Sequence, residues 1–259
     1  MRRHKHGIRE GSPIANALIY LITAICCLVT VYPMYYVLIR PVSAPEHALL
    51  GDMFLLPKGF DLTSYKVIFG DATMWQAYGN TLLYVVATTI LMLLFCTLCA
   101  YPLCMPSLMG KKYVVTYLLI PMYFSGGLIP TFLVMNRLGL YNNIWTIILP
   151  GSISIWNIIL TRTYFASIPD TIRESASIDG ANHFTILWRI YAPLAKPILA
   201  VIAIYTIVIT WNSWFNAMVY LPDTTLQPLQ LYLRRVLIAN TVDLSKLPMN
   251  EVADAVRRS

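Results

Sequence analysis

Residues 75–104 read WQAYGNTLLYVVATTILMLLFCTLCAYPLC, thirty residues without one charged side chain. About 20 consecutive apolar residues are enough to cross a bilayer as a helix, so this run is read as a membrane span. Four more runs of the same kind lie on either side of it, at 14–39, 113–135, 144–165 and 197–220. Each is expected to be helical, because the hydrocarbon core offers no water to an unpaired backbone group. Pro33, Pro102, Pro121 and Pro130 fall inside or near the ends of these runs, where they would bend a helix that its neighbours support. The fold class is therefore all-α: a polytopic helical membrane protein with five visible spans.

The composition agrees. Of 259 residues, 58% are hydrophobic and 12% charged, about half the charged fraction of a soluble domain. The net charge of +7 could suggest nucleic acid. The basic residues stand singly or in short groups beside apolar runs, where they set membrane orientation, so no nucleic-acid partner is expected and membrane lipid is. With the N-terminus in the cytoplasm, Arg2, Arg3, Lys5, Arg9, Lys111, Lys112, Arg162, Arg173, Arg189 and Lys196 lie inside. Only Arg40, Lys58, Lys66 and Arg137 lie outside before the last span. The N-terminal run is too long for the 7–15 apolar residues of a signal peptide, so it is read as a retained span behind a cytoplasmic tail at 1–13. Residues 14–259 then form one membrane domain.

Five cysteines, Cys26, Cys27, Cys96, Cys99 and Cys104, lie within the spans. Cys96 and Cys99 make a CxxC with no histidine nearby, so they are read as reduced packing residues rather than a metal or redox site. His183, His4 and His6 have no partner cluster, and no metal site is expected. The spans hold no Asp, Glu or His, and only Arg162 lies near a span end, so no catalytic group is assigned and an intramembrane enzyme is excluded.

Of the two long connections, 41–74 is outside and carries Pro45, Gly51, Pro57 and Gly59, an irregular cap with short helices. The inner one, 166–196, is the more informative. Ser167, Pro169 and Asp170 are helix-start residues, and the acidic side chain suits the N-terminal dipole. Gly180 can take the left-handed conformation that ends a helix. A short cytoplasmic helix is expected over 169–179. Small residues at Ser175, Ala176 and Ser177 would leave one face thin enough for another protein's groove.

The spacing Glu174-Ser175-Ala176, Asp179-Gly180-Ala181 and Ile190-Tyr191-Ala192-Pro193 resembles the EAA loop of ABC importer permeases. The family pattern has Ala where Ser175 stands and Leu where Ala192 stands. The segments 124–130, 138–140, Trp211-Asn212-x-Trp214 and 226–231 resemble the carbohydrate-uptake branch, including the maltose-type permeases and those for complex polysaccharides or oligosaccharides. The resemblance implies a coupling helix that docks in a cleft of a separate ABC ATPase, with Glu174 meeting a basic or donor group there. It also implies a second homologous permease subunit, an extracytoplasmic solute-binding protein and a bacterial cell membrane location. The chain has no G-x-x-x-x-G-K-[ST] loop, so it is expected to bind no cofactor, with ATP held by the partner subunit. Permeases of this family have six core spans, so a sequence with five is expected to be an incomplete copy.

Trp211, Asn212, Trp214 and Asn216 have two readings. They are interfacial anchors, since Trp is enriched at membrane surfaces, or solute contacts, since aromatic faces and amides suit a pyranose. Asn80 and Asn157 are polar groups within spans, either interhelical hydrogen-bonders or further pathway residues. The functional alternative to an importer subunit is a passive channel or a structural membrane subunit, which the inner loop argues against.

Overall fold

The computed structural model describes residues 13–44, 56 and 59–246, and the expectations placed on 1–12, 45–55, 57–58 and 247–259 lie outside them. The chain divides into two units, Met1–Asp71 with Val242–Ser259, and Ala72–Thr241. The described residues of both are helical, and the one β feature among them is an isolated antiparallel bridge, Ser43 to Phe60.

In the first unit, α1 (Pro13–Ile39) is apolar on every side. None of its membrane-span window is buried. A helix apolar all round is one made for lipid or for other spans. A 3-10 turn (Arg40–Val42) follows, and further along the same connection stands α2 (Thr63–Gly70). Asp61 starts α2: its carboxylate accepts from the Thr63 hydroxyl at 2.6 Å and from the Thr63 backbone N–H at 2.8 Å. These two bonds hold its carboxyl below the usual range.

The second unit is organised by α3 (Ala72–Cys104). Its buried residues Ala77, Thr81, Tyr84, Thr88, Met92 and Cys96 recur every three or four positions, which lays them along one face of the helix. Buried threonines of α3 bond back to their own turn, as Thr81 does to the Ala77 carbonyl and Thr97 to that of Leu93. Cys96 is fully buried among Met92, Leu103, Ile158 and Ile202. At the C-terminal end, where carbonyls are left without helical partners, Arg162 donates to the Leu103 carbonyl at 3.1 Å. Lys111 reaches those of Cys104 and Met105 at 3.3 Å each. Cations there satisfy both the orphan acceptors and the helix dipole.

Around α3 lie α4 (Lys111–Tyr123), α5 (Leu128–Arg137), α6 (Trp145–Gly151), α7 (Ile155–Ala166), α8 (Asp170–Ile178), α9 (His183–Leu194), α10 (Lys196–Trp211) and α11 (Phe215–Tyr220). α7 and α10 pack along α3. Two helices, Ile14–Val42 and Ala72–Cys104, are long and apolar enough to cross a membrane, and up to four spans result if each of two bent pairs counts as one. The bent pairs are α4 with α5 and α9 with α10, the latter at 76°. The runs expected to be continuous at 113–135, 144–165 and 197–220 are each broken helices. The first bends by 114° between α4 and α5, where Gly127 sits at φ +84°, a conformation costly for any side chain. The second breaks at Ser152–Ser154, where the Ser154 hydroxyl caps α7 by accepting from the Asn157 N–H. The third breaks at Asn212–Trp214. Hydropathy registers the apolar run but not these interruptions.

Beyond α11, residues 221–229 are bound to the Ala72 end of α3. Asn80 donates to the carbonyls of Thr225 (2.7 Å) and Gln227 (3.1 Å), Tyr84 to that of Leu226 (2.6 Å), and the Leu229 N–H to the Thr81 hydroxyl (2.8 Å). The last helix, α12 (Leu229–Lys246), follows and is too polar to count among the candidate spans. Tyr84 is 2% exposed, so Tyr84→Phe leaves the Leu226 carbonyl without its donor. The expected cost is about 1–3 kcal/mol. It should appear as faster amide hydrogen exchange across 221–229, and unchanged exchange would show that the clamp does not hold this segment.

Candidate functional site

The connection between α7 and α10 is two helices joined by a sharp turn. Pro169, with extended backbone (ψ 131°), precedes α8, and Asp170 stands in its first turn. α8 ends in a Schellman motif: the Gly180 N–H bonds the Ser177 carbonyl at 3.1 Å, and the Ala181 N–H reaches back to that of Ala176 at 3.0 Å. Gly180 has φ +82°. The Asn182 side chain then caps α9, accepting from the Thr185 N–H at 2.8 Å. The expected helix over 169–179 is therefore Asp170–Ile178 with both flanking residues as caps.

The side chains of this loop divide between two directions. Ala176, Ala181 and Ile190 are half-buried against the protein's own core of Tyr101, Phe165, Ile186, Leu187 and Tyr191. Tyr191 meets Tyr101 edge-on at 5.2 Å and Phe165 at 5.4 Å. The small residue at Ala176 thus lets α8 sit close on this aromatic cluster, whereas the sequence suggested a face thinned for a partner. Glu174, Ser175, Asp179, Gly180 and Pro193 are exposed. Ser175 spends its hydroxyl on the Thr171 carbonyl at 2.8 Å. Arg173 lies between Asp170 (3.4 Å) and Glu174 (3.6 Å), with both carboxylates more than half exposed, so these ion pairs are surface pairs of small energy.

Ile178 and Phe184, absent from the sequence candidates, are 86% and 67% exposed beside the turn. Phe184 stacks edge-on with Trp188 at 6.1 Å. The signal was present in the sequence: a second isoleucine, after Ile172, at the end of a mostly polar helix and directly before the turn. His183 bonds Tyr101, Nδ1 to hydroxyl, at 3.2 Å.

The six residues read as pathway candidates separate. Asn157 and Asn216 line one cavity of about 850 Å³, walled by α6, α7, α10 and the start of α11. The other four lie elsewhere. Trp211 packs edge-on against Tyr78 at 5.9 Å. The Trp214 ring carries the Arg234 guanidinium 3.5 Å from its centroid. The Asn212 amide bonds the Val208 carbonyl of its own helix at 2.8 Å, and Asn80 belongs to the 221–229 clamp. Sequence reasoning missed Trp156, Tyr205, Thr210 and Ser213 in the same cavity wall. Tyr205, Thr210 and Ser213 do carry a helical signal, three polar-tipped residues at near-helical intervals in an apolar run.

Broken apolar helices around one long span, an exposed two-helix turn at one end and a mostly apolar cavity with a few polar side chains make this a helical membrane protein. Residues 94–219 match the family described as "Binding-protein-dependent transport system inner membrane component". The chain is 35% identical over 210 residues to Protein LplC of Bacillus subtilis (strain 168), covering 81% of this chain and 71% of that protein. It is 33% identical over 226 residues to the polygalacturonan/rhamnogalacturonan transport system permease protein YtcP of the same organism, covering 87% and 79%. Among solved structures, it resembles a chain of a bacterial ABC transporter involved in the import of the acidic polysaccharide alginate. The identity is 35%, the TM-score 0.80 and the coverage 94% of this chain and 89% of that one. The chain belongs to this family of inner membrane transport components, and it is a multi-pass permease subunit rather than an enzyme.

Proposed function

We propose that this chain forms one half of the translocation pathway of a bacterial importer for a sugar or oligosaccharide, driven by a separate ATPase that docks on α8. The relatives' names point to the solute class: polygalacturonan and rhamnogalacturonan, arabinooligosaccharides, and alginate. The observation that carries the coupling is the turn itself. The Schellman motif at Gly180 and the seat of Ala176 and Ala181 on the aromatic core tie α8 to α9, which turns by 76° into α10. A push on Glu174 or Ile178 is therefore passed to the membrane segment rather than absorbed by a soft loop.

In this reading the chain binds no cofactor and ATP sits on the partner. A second homologous permease supplies the other half, and an extracytoplasmic binding protein delivers the solute. The N-terminal tail at 1–13 and the 166–196 loop face the cytoplasm, as the distribution of Lys and Arg supports. Residues 14–259 act as the permease domain, in which each of the three broken apolar runs is read as one span beside the two continuous ones.

Changing Glu174 to Arg reverses the charge at the middle of the exposed face of the docking helix without touching its buried face. The expected result is at least about tenfold weaker co-purification of the ATPase subunit, the scale of a lost charged contact. Undiminished association together with full uptake would overturn the docking role of this residue. Uptake into vesicles that persists without ATP would favour the passive-channel reading instead.

A further inference from the structure

A second hollow lies at the C-terminal end of α3. It is a groove of about 710 Å³ between that end, the turn leading into α4, and the start of α9. Tyr101, Met105 and Leu187 line it and are buried, so its floor is part of the packed core. Met109 and Phe184 also line it and are 92% and 67% exposed. The Tyr101 hydroxyl and the His183 ring are spent on one another at 3.2 Å, so the wall presents mainly carbon and sulfur.

Apolar surface gathered in one exposed place marks a contact. Its surroundings are aqueous rather than acyl. The Lys111 ammonium rests on the Cys104 and Met105 carbonyls at 3.3 Å each, and Lys112 follows it, exposed. Lysine heads settle where water reaches them, which places the 105–110 turn at the membrane boundary.

The occupant is read from the neighbouring surface. Ala176 and Ala181, on either side of the end of α8, rest on the same cluster as Tyr101, Met105, Leu108 and Leu187. The groove is therefore continuous with the helix to which the ATPase is assigned. Ile178, 86% exposed, ends α8 on one side of the Gly180 turn, and Phe184 stands in the first turn of α9 on the other. The same segments carry exposed charges at Lys112, Glu174, Asp179 and Arg189. An apolar centre with a charged rim is the anatomy of a protein–protein interface. Met105 and Met109 are unbranched and adapt to the shape that enters.

We propose that the ATPase subunit seats an apolar side chain in this groove, so that its footprint runs from α8 across the Gly180 turn to Phe184 and Met109. The inference rests on the reading that an ATPase docks on α8, and it adds a second point of attachment from a separate part of the chain. A movement of the ATPase then reaches α3 directly at the 105–109 turn, as well as through α9 and α10.

The test uses the complete transporter in inside-out membrane vesicles, before and after its ATPase subunit is stripped off. Met109→Cys and Phe184→Cys are each treated with a membrane-impermeant maleimide, and labelling is counted above that of the parent chain. Ser175→Cys, exposed on α8, is the control. Both groove positions are expected to label readily in stripped vesicles and about tenfold more slowly in the complete transporter, since a docked anchor excludes water. Met109→Asp and Phe184→Asp are each expected to lower ATPase co-purification about tenfold, the scale of a lost apolar anchor, whereas Phe184→Leu should keep it. Normal recovery of the second permease subunit with both aspartate variants separates lost docking from lost folding. Protection of Ser175→Cys while the groove still labels at full rate overturns this inference and leaves the docking reading standing. Groove positions that resist the reagent with and without the ATPase are covered by lipid, which also overturns it. Aspartate variants that both retain the ATPase in full overturn the anchor. Ser175→Cys left unprotected by the ATPase overturns the docking reading, and this inference with it.

Discussion

Gly180→Val is expected to abolish ATP-driven uptake, whereas Gly180→Asn should keep most of it. The residue sits at φ +82°, and a Cβ placed there would meet no atom within 4 Å. The cost is therefore conformational and not steric. A left-handed residue with a side chain pays about 1–2 kcal/mol, and β-branching makes this worse, while Asn visits the region readily. A penalty of that size competes directly with the two bonds that close the turn, Gly180 to Ser177 and Ala181 to Ala176. Once they open, the exposed face of α8 is no longer held in one orientation relative to α9. Uptake and ATPase co-purification, measured on membranes with equal amounts of each variant, check the result. Full uptake by Gly180→Val would show that the turn is not what transmits the movement.

The second large effect is on stability. Tyr191 is 2% exposed and forms the centre of the aromatic cluster under the loop, with Tyr101 and Phe165 packed edge-on against it. Tyr191→Ala removes a ring from a filled site, which costs about 3–5 kcal/mol because the surroundings relax only in part. For a chain of this size that corresponds to a melting point lower by roughly 10 °C. Tyr191→Phe keeps both ring contacts and should cost less than about 1.5 kcal/mol. Thermal unfolding of the detergent-solubilised chain distinguishes them, and an unshifted Tyr191→Ala would mean that the cluster does not anchor the loop. Because Ala176 and Ala181 rest on the same cluster, the alanine variant should also weaken coupling among the molecules that remain folded.

The loop was legible because its signals are local. Pro169, Asp170, Gly180 and Asn182 each act on their own backbone or on a neighbour within a few residues, so their order in the chain gives the helix, its end and the next helix. The fate of Ala176 was not legible. A small residue in a helix suits a partner's groove or a nearby core equally, and only the position of Tyr101, 75 residues earlier, decides between them. The pathway candidates show the same limit. Asn80, Asn157, Asn212 and Asn216 look alike in sequence. Asn80 found carbonyls 145 and 147 residues away, Asn212 found its own helix, and Asn157 and Asn216 were left beside a cavity.

The amino-acid sequence by itself determined that the chain is helical and membrane-embedded, and where its exposed two-helix turn lies. Those properties follow from apolar run length, charge placement and residue-specific backbone preferences, all of which act at short range along the chain. Only the tertiary structure decided that three of the apolar runs are broken, which face of α8 is free, and which polar groups meet at the cavity. These depend on which segments touch, and a contact between α3, α7 and α10 is set by packing among residues far apart in sequence.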